Sequence, residues 1–95
     1  MNIYEKVVQF QKEVIGSVPL TKIPEKKDYN FMVNTLEEEL QEFKSAYDQN
    51  DYGEMIDALI DLIYFALGHI YRMGAPFEKT FDQVHKANMR KSGGS

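Results

Sequence analysis

Two groups of carboxylates stand out for their spacing. The first is the run E-E-E-L-Q-E at residues 37–42, and the second is Glu54, Asp57 and Asp61, set in a segment otherwise made of Ile, Leu, Ala, Tyr and Phe. At ~100° per residue on a helix, Glu38, Glu39 and Glu42 gather on one flank beside Thr35 and Ala46, with Glu37 on the opposite flank. On the second segment, Glu54, Asp57 and Asp61 share a stripe with Gly68 and Arg72. A carboxylate on a helix that must be buried needs a compensating cation, because unpaired buried charge is strongly unfavourable. Asp57 and Asp61 have no Lys or Arg within four positions to supply one. Hard divalent ions answer that need: Mg²⁺ prefers oxygen ligands and leaves positions open for water and substrate phosphate. Two structural readings stand beside this one. An acidic run is often a solvated helix surface, and Asp51-x-x-Glu54 has the spacing of a capping pair, which would give Glu54 a purely structural job.

The elements that would position these acids can be read from periodicity and punctuation. Asn2, with Glu5 three residues on, can cap a first helix whose apolar side is Val7, Val8, Phe10, Val14 and Ile15 and which Gly16 ends. Residues 17–27 carry Pro19, Pro24 and three lysines and read as an extended connector, or alternatively a lid. A second helix is expected over 28–49, with Tyr29, Met32, Val33, Leu36, Leu40, Phe43 and Tyr47 on one face. A short link at 50–53 then turns the chain into a third helix over 54–73 that is apolar nearly all the way round, a pattern that marks a core or an interface. A connection this short makes the second and third helices an antiparallel hairpin. That topology lets the two acidic patches face each other at similar height. Gly74 stops the third helix, and Pro76 suits the first turn of a fourth, on which Phe77, Phe81, Val84 and Ala87 are apolar. Lys86, Arg90 and Lys91 near its end either complement the helix dipole or grip phosphate, and Asn88 could read a base edge. His69 reads as a packed or hydrogen-bonded histidine. Asp82-x-x-His85 alone falls short of the paired Glu-x-x-His motifs of a di-iron bundle.

Composition bounds the function. Ninety-five residues suit one domain over 1–91, with the final S-G-G-S at 92–95 as a flexible tail. With 43% hydrophobic residues, the chain owns more apolar surface than four short helices can cover, so a homo-oligomer, dimer or tetramer, is expected. The sequence contains no Cys, which excludes disulfides and thiolate metal sites. No signal pattern and no uninterrupted apolar run of ~20 residues is present, so a soluble, cytoplasmic protein without a membrane partner is expected. A net charge of -4 argues against nucleic acid as a partner. The expected architecture is all-α, a four-helix antiparallel bundle-like domain completed by oligomerisation.

Glu38-Glu39-x-x-Glu42, followed by Glu54-x-x-Asp57, D-A-L-I-D-L-I-Y-F and V-H-K-A-N-M-R-K, resembles the MazG-like all-α nucleoside triphosphate pyrophosphohydrolases, in a compact single-domain branch. The likeness runs from about Phe10 to Lys91. It implies Mg²⁺-dependent hydrolysis, with Mn²⁺ as a possible substitute, of (deoxy)nucleoside triphosphates at the α–β phosphate bond. The products would be a nucleoside monophosphate and pyrophosphate, in nucleotide-pool house-cleaning. Carried over, Glu38, Glu39, Glu42, Glu54 and Asp57 match the metal-binding motif, with Glu38 or Glu39 handling the attacking water. Asn88 and Lys91 match nucleotide-contacting positions, with Arg90 and Lys86 beside them. A second register puts Asp61 in the aspartate position and Ala58 where the family has glutamate, so Asp57 and Asp61 are kept together as candidates. Alternatives are a non-catalytic oligomeric interaction or regulatory module, and a pyrophosphohydrolase for another nucleotide, of the dUTP or phosphoribosyl-ATP type.

Overall fold

The computed structural model describes residues 1–20 and 22–92. Among these the chain forms α1 (Ile3–Phe10), continuing as a π-helical turn (Gln11–Ile15), then α2 (Lys26–Asp48), α3 (Tyr52–Arg72) and α4 (Phe77–Ser92). It is all-α, as the periodicity predicts. The tail expected at 92–95 starts on the last residue of α4 and otherwise lies outside the described residues.

Local chemistry explains most of the boundaries. At the start of α1, the Asn2 side chain accepts from the Glu5 N–H at 2.8 Å and the Glu5 carboxylate accepts from the Asn2 N–H at 2.8 Å, a reciprocal box that satisfies two otherwise orphaned donors. Gly16 ends the helical run with φ 75°, a conformation that carries little penalty only without a Cβ. The widening to π geometry before it has no evident cue in the sequence. α2 begins at Lys26, two residues before the expected Asp28. Its N-cap, Glu25, makes no side-chain capping bond, so the extended backbone imposed around Pro24 sets this start rather than a capping side chain. Asn50, at φ 55°, turns the chain between α2 and α3. Asp51 then caps α3 by accepting from the Glu54 N–H at 3.1 Å.

α2 and α3 pack as the antiparallel hairpin, and α1 lies along α3. The buried positions are Thr35, Glu39 and Ala46 on α2 and Ala58, Leu67, Gly68 and Tyr71 on α3, with Gly68 facing Gln11 and Tyr71 reaching Ser17. Ala46 and Ala58 let the two backbones approach near the link. The connector is an extended strap bound to the far end of α3: the Leu20 N–H donates to the Arg72 carbonyl, and Arg72 Nη1 donates to the Val18 carbonyl at 2.7 Å. α4 is attached near its start, where Phe77 stacks on Tyr4 at 4.6 Å and Glu78 accepts from Asn2 Nδ2 at 2.9 Å. The apolar wrap of α3 is only partly covered within one chain, leaving Ile60 54% and Ile63 49% exposed, with Phe81 of α4 at 61%.

Candidate active site

Glu39 is the centre of the site. It lies one turn from Thr35 and two from Ala46 on the stripe of α2 that faces α3, so packing the hairpin carries its carboxylate inside, to 8% exposure. Its Oε2 atom is buried without any hydrogen-bond partner among the described residues, a condition that native interiors rarely tolerate. Glu42, three residues on, and Asp61, one turn past Ala58 on α3, complete a group in which one oxygen from each carboxylate lies within 4.8 Å of the others. Glu42 is exposed and Asp61 half-buried.

The electrostatics follow from that convergence. Burial, then the negative charges of Glu42 and Asp61, with Asp57 further off, push the Glu39 carboxyl up to about 7. Burial, then Asp57 and Glu42, also raise Asp61 above the usual aspartate range. Like charges held this close favour keeping a proton in the absence of a cation, and a divalent ion removes the conflict. The donor set is all oxygen, with one buried oxygen lacking any partner. That composition suits a hard divalent cation.

The other sequence candidates fall around this group. Asp57 is exposed, one turn before Asp61, and acts on Glu39 and Asp61 through its charge. Glu54 lies with Glu42, Gln41, Ser45 and Asp51 along a shallow cavity of about 320 Å³ at the link end of the hairpin. Its expected capping role is only half formed. Asp51 does cap Glu54, but the Asp51 N–H donates to the Ala46 carbonyl, so the Glu54 side chain does not close the box. Glu38 is exposed and outside the three-carboxylate group; α2 packs through the stripe of Glu39, one residue round the helix. Lys86, Asn88, Arg90 and Lys91 are exposed on α4. Lys86 pairs with Asp82 at 3.1 Å on that helix, and none of the four lines the cavities beside the carboxylates.

The family model for phosphoribosyl-ATP pyrophosphohydrolase matches residues 7–88. The chain belongs to this family. It is thereby a member of the MazG-like all-α pyrophosphohydrolase superfamily, and its compact helical domain is the matched unit. No curated protein and no solved structure matches it significantly. In this pyrophosphohydrolase, none of the described helices is long and apolar enough to cross a membrane.

A feature that spacing did not reveal lies further along the hairpin, beginning about one turn beyond Asp61. A cavity of about 360 Å³ opens between α1, α2 and α3, lined by Phe10, Phe31, Met32, Tyr64, Phe65 and His69 among others. Tyr71, by contrast, is core. Gln11 reaches the cavity because the π-helical turn lays its carboxamide against Gly68, where a Cβ would stand 2.7 Å from Gln11 Nε2. Ser17 Oγ donates to Gln11 Oε1 at 2.7 Å and fixes the amide. Arg72 and Asp28 close the far end, 3.9 Å apart. Tyr64, Phe65 and Tyr71 at helical spacing along α3 were the available signal, and that spacing reads as core before it reads as a base-stacking platform.

Proposed function

We propose that the chain hydrolyses nucleoside 5′-triphosphates, ribo or deoxy, at the α–β phosphate bond, releasing a nucleoside monophosphate and pyrophosphate with Mg²⁺ held by Glu39, Glu42 and Asp61. The observation that carries this reading is the buried, unpartnered Glu39 oxygen set among converging carboxylates. Family membership supplies the bond class. Bound Mg²⁺, or Mn²⁺ in its place, would neutralise phosphate charge and make a bound water more acidic. Asp57 and Glu54 extend the acidic rim, and Glu38 stands beside it on α2. Burial and the charges of its neighbours raise the Glu39 carboxyl in the absence of metal; ionised beside a cation, its oxygen not taken by the ion would accept the proton of an attacking water. Glu38 is the second candidate for that role.

Oligomerisation belongs to the same reading. The uncovered apolar faces of α3 and α4 support a dimer or tetramer, in which a neighbouring copy could bring Lys86, Asn88, Arg90 and Lys91 to the phosphates. Such a complete site would serve nucleotide-pool house-cleaning in the cytoplasm. A second reading, phosphoribosyl-ATP as substrate, is favoured by the description of the family. Against it, Arg72 is the only Lys or Arg among the described residues that lines the aromatic cavity, and it already donates to the Val18 carbonyl and lies 3.9 Å from Asp28. A panel of nucleoside triphosphates, their deoxy forms and phosphoribosyl-ATP, assayed for pyrophosphate against orthophosphate release, tests both. Orthophosphate as the sole product would overturn α–β cleavage, and no turnover with Mg²⁺ or Mn²⁺ would leave a binding module.

A further inference from the structure

We infer that His69 is a specificity-determining residue, whose Nδ1 accepts a hydrogen bond from an N–H on the nucleobase, either an exocyclic amino group or a ring N–H. This rests on the nucleotide reading of the carboxylate group above. Three observations lead to it.

The first is a tautomer fixed by proton counting. Thr35 Oγ1 donates to the Met32 carbonyl at 2.7 Å, and a hydroxyl has one proton to give. The 2.7 Å contact between that oxygen and His69 Nε2 must therefore carry its proton on the nitrogen. Burial holds the imidazole below its ordinary pKa, so the ring is neutral and Nδ1 bears a lone pair. No described residue donates to it.

The second is the setting of the ring. Phe65 lies nearly parallel to it at 6.2 Å and Phe31 edge-on at 6.3 Å. This fixes the plane in which the lone pair is presented. His69 lines the 360 Å³ cavity with Phe10, Tyr64 and Met32, and a mostly apolar wall with one oriented polar group is the usual makeup of a small-molecule site.

The third is position. Phe65 is one turn and His69 two turns beyond Asp61 on α3, while Met32 and Phe31 lie about two turns before Glu39 on α2. Because the hairpin is antiparallel, both helices leave the carboxylates in the same direction. The cavity's lining therefore starts about one turn beyond Asp61, at Tyr64 and Phe65, passes His69, ~12 Å along the axis from Asp61, and closes at Arg72 and Asp28. A nucleotide anchored by its phosphates at the acids would lay its base there, between aromatic faces.

The test compares a nucleotide with a ligand that has phosphates but no base. For the preferred triphosphate, His69→Phe, which keeps the ring shape and removes the lone pair, should raise KM ~10-fold with a smaller change in kcat. The Ki of Mg²⁺-tripolyphosphate as a competitor should move much less. Thr35→Val, which frees the ring from its orienting partner, should shift KM in the same direction by less. Equal shifts for nucleotide and tripolyphosphate, or an unchanged KM, overturn the assignment. Should the variants fail to fold, ¹⁵N-histidine NMR of the wild-type protein still decides. An Nε2–H tautomer with an Nδ1 resonance that moves on adding Mg²⁺ and the product monophosphate supports it, and an unmoved Nδ1 overturns it. Wild-type protein that cleaves no triphosphate defeats the underlying reading instead, and that outcome is visible without any variant.

Discussion

Glu39 differs from Glu38 by one step of rotation and from Glu37 by two, and those steps separate a buried carboxylate from solvated ones. Its pKa of about 7 against an ordinary 4.5 makes stability depend on pH in a definite direction. Between those values the folded state holds a proton that the unfolded chain has released, so stability without metal falls as pH rises through that window and levels off above it. Asp61, also raised, adds to the same slope. Melting in chelator should show a loss on the order of 2 kcal/mol between about pH 4.5 and pH 7.5, and Glu39→Gln should flatten most of it. A melting temperature that rises over this interval would contradict the burial of Glu39. Divalent cations should act in the opposite sense, stabilising the ionised form. At neutral pH, Mg²⁺ or Mn²⁺ should raise the melting temperature of the wild type in proportion to occupancy, and Asp61→Asn or Glu42→Gln should lose most of that rise. The same variants and Asp57→Asn should lower pyrophosphate release by 10²-fold or more while remaining folded. Unfolding of the variants instead would make the acids structural. The acid pairing was legible from helical projection. Which of two adjacent glutamates turns inward was not, since projection puts Glu38 and Glu39 on one flank and only the packing against Ala58 and Asp61 selects between them.

At the scale of elements, the punctuation that depends on a residue's own chemistry was readable: the Asn2–Glu5 box, Gly16 and Gly74 as stops, the hairpin link. Features that depend on another element were not. The π-helical turn exists where Gln11 meets Gly68, residues distant in sequence, and the early start of α2 reflects the path of the strap rather than Asp28. Gly74 joins both kinds of cause, since its φ of 75° favours glycine and a Cβ there would stand 2.7 Å from the Leu20 carbonyl oxygen. Gly74→Ala should therefore cost ~2–3 kcal/mol in denaturant titration, because the opposing atom is backbone and cannot swing aside. A loss under ~1 kcal/mol, the left-handed penalty alone, would mean that the strap yields.

For the whole molecule, the radius of gyration of 15.5 Å exceeds the ~12 Å of a compact chain of this length. The excess belongs to α4 and the uncovered side of α3, so the expectation that the chain exposes more apolar surface than it can bury holds for a single copy. Light scattering on the eluting protein should give an integral multiple of the 11.0 kDa chain. Ile60→Glu or Phe81→Glu should shift it toward monomer and reduce pyrophosphate release together, since the α4 residues proposed to reach the phosphates from a neighbouring copy would then be lost with the assembly. A monomeric, fully active wild type would remove the need for a second copy.

The strap also has a consequence in time. Its tethers, Tyr71 Oη and Arg72 Nη1 donating to the carbonyls of Ser17 and Val18, each join residues 54 apart in sequence, whereas the α2–α3 hairpin closes over a three-residue link. Loop-closure entropy favours the short loop first, so the hairpin and its carboxylates should form early, and the strap with the far wall of the aromatic cavity should dock late. Destabilising changes at Ala46 or Ala58 should therefore slow folding, and changes at Leu20 or Gly74 should mainly hasten unfolding. The carboxylate end of the site would be assembled before the end proposed to receive the base.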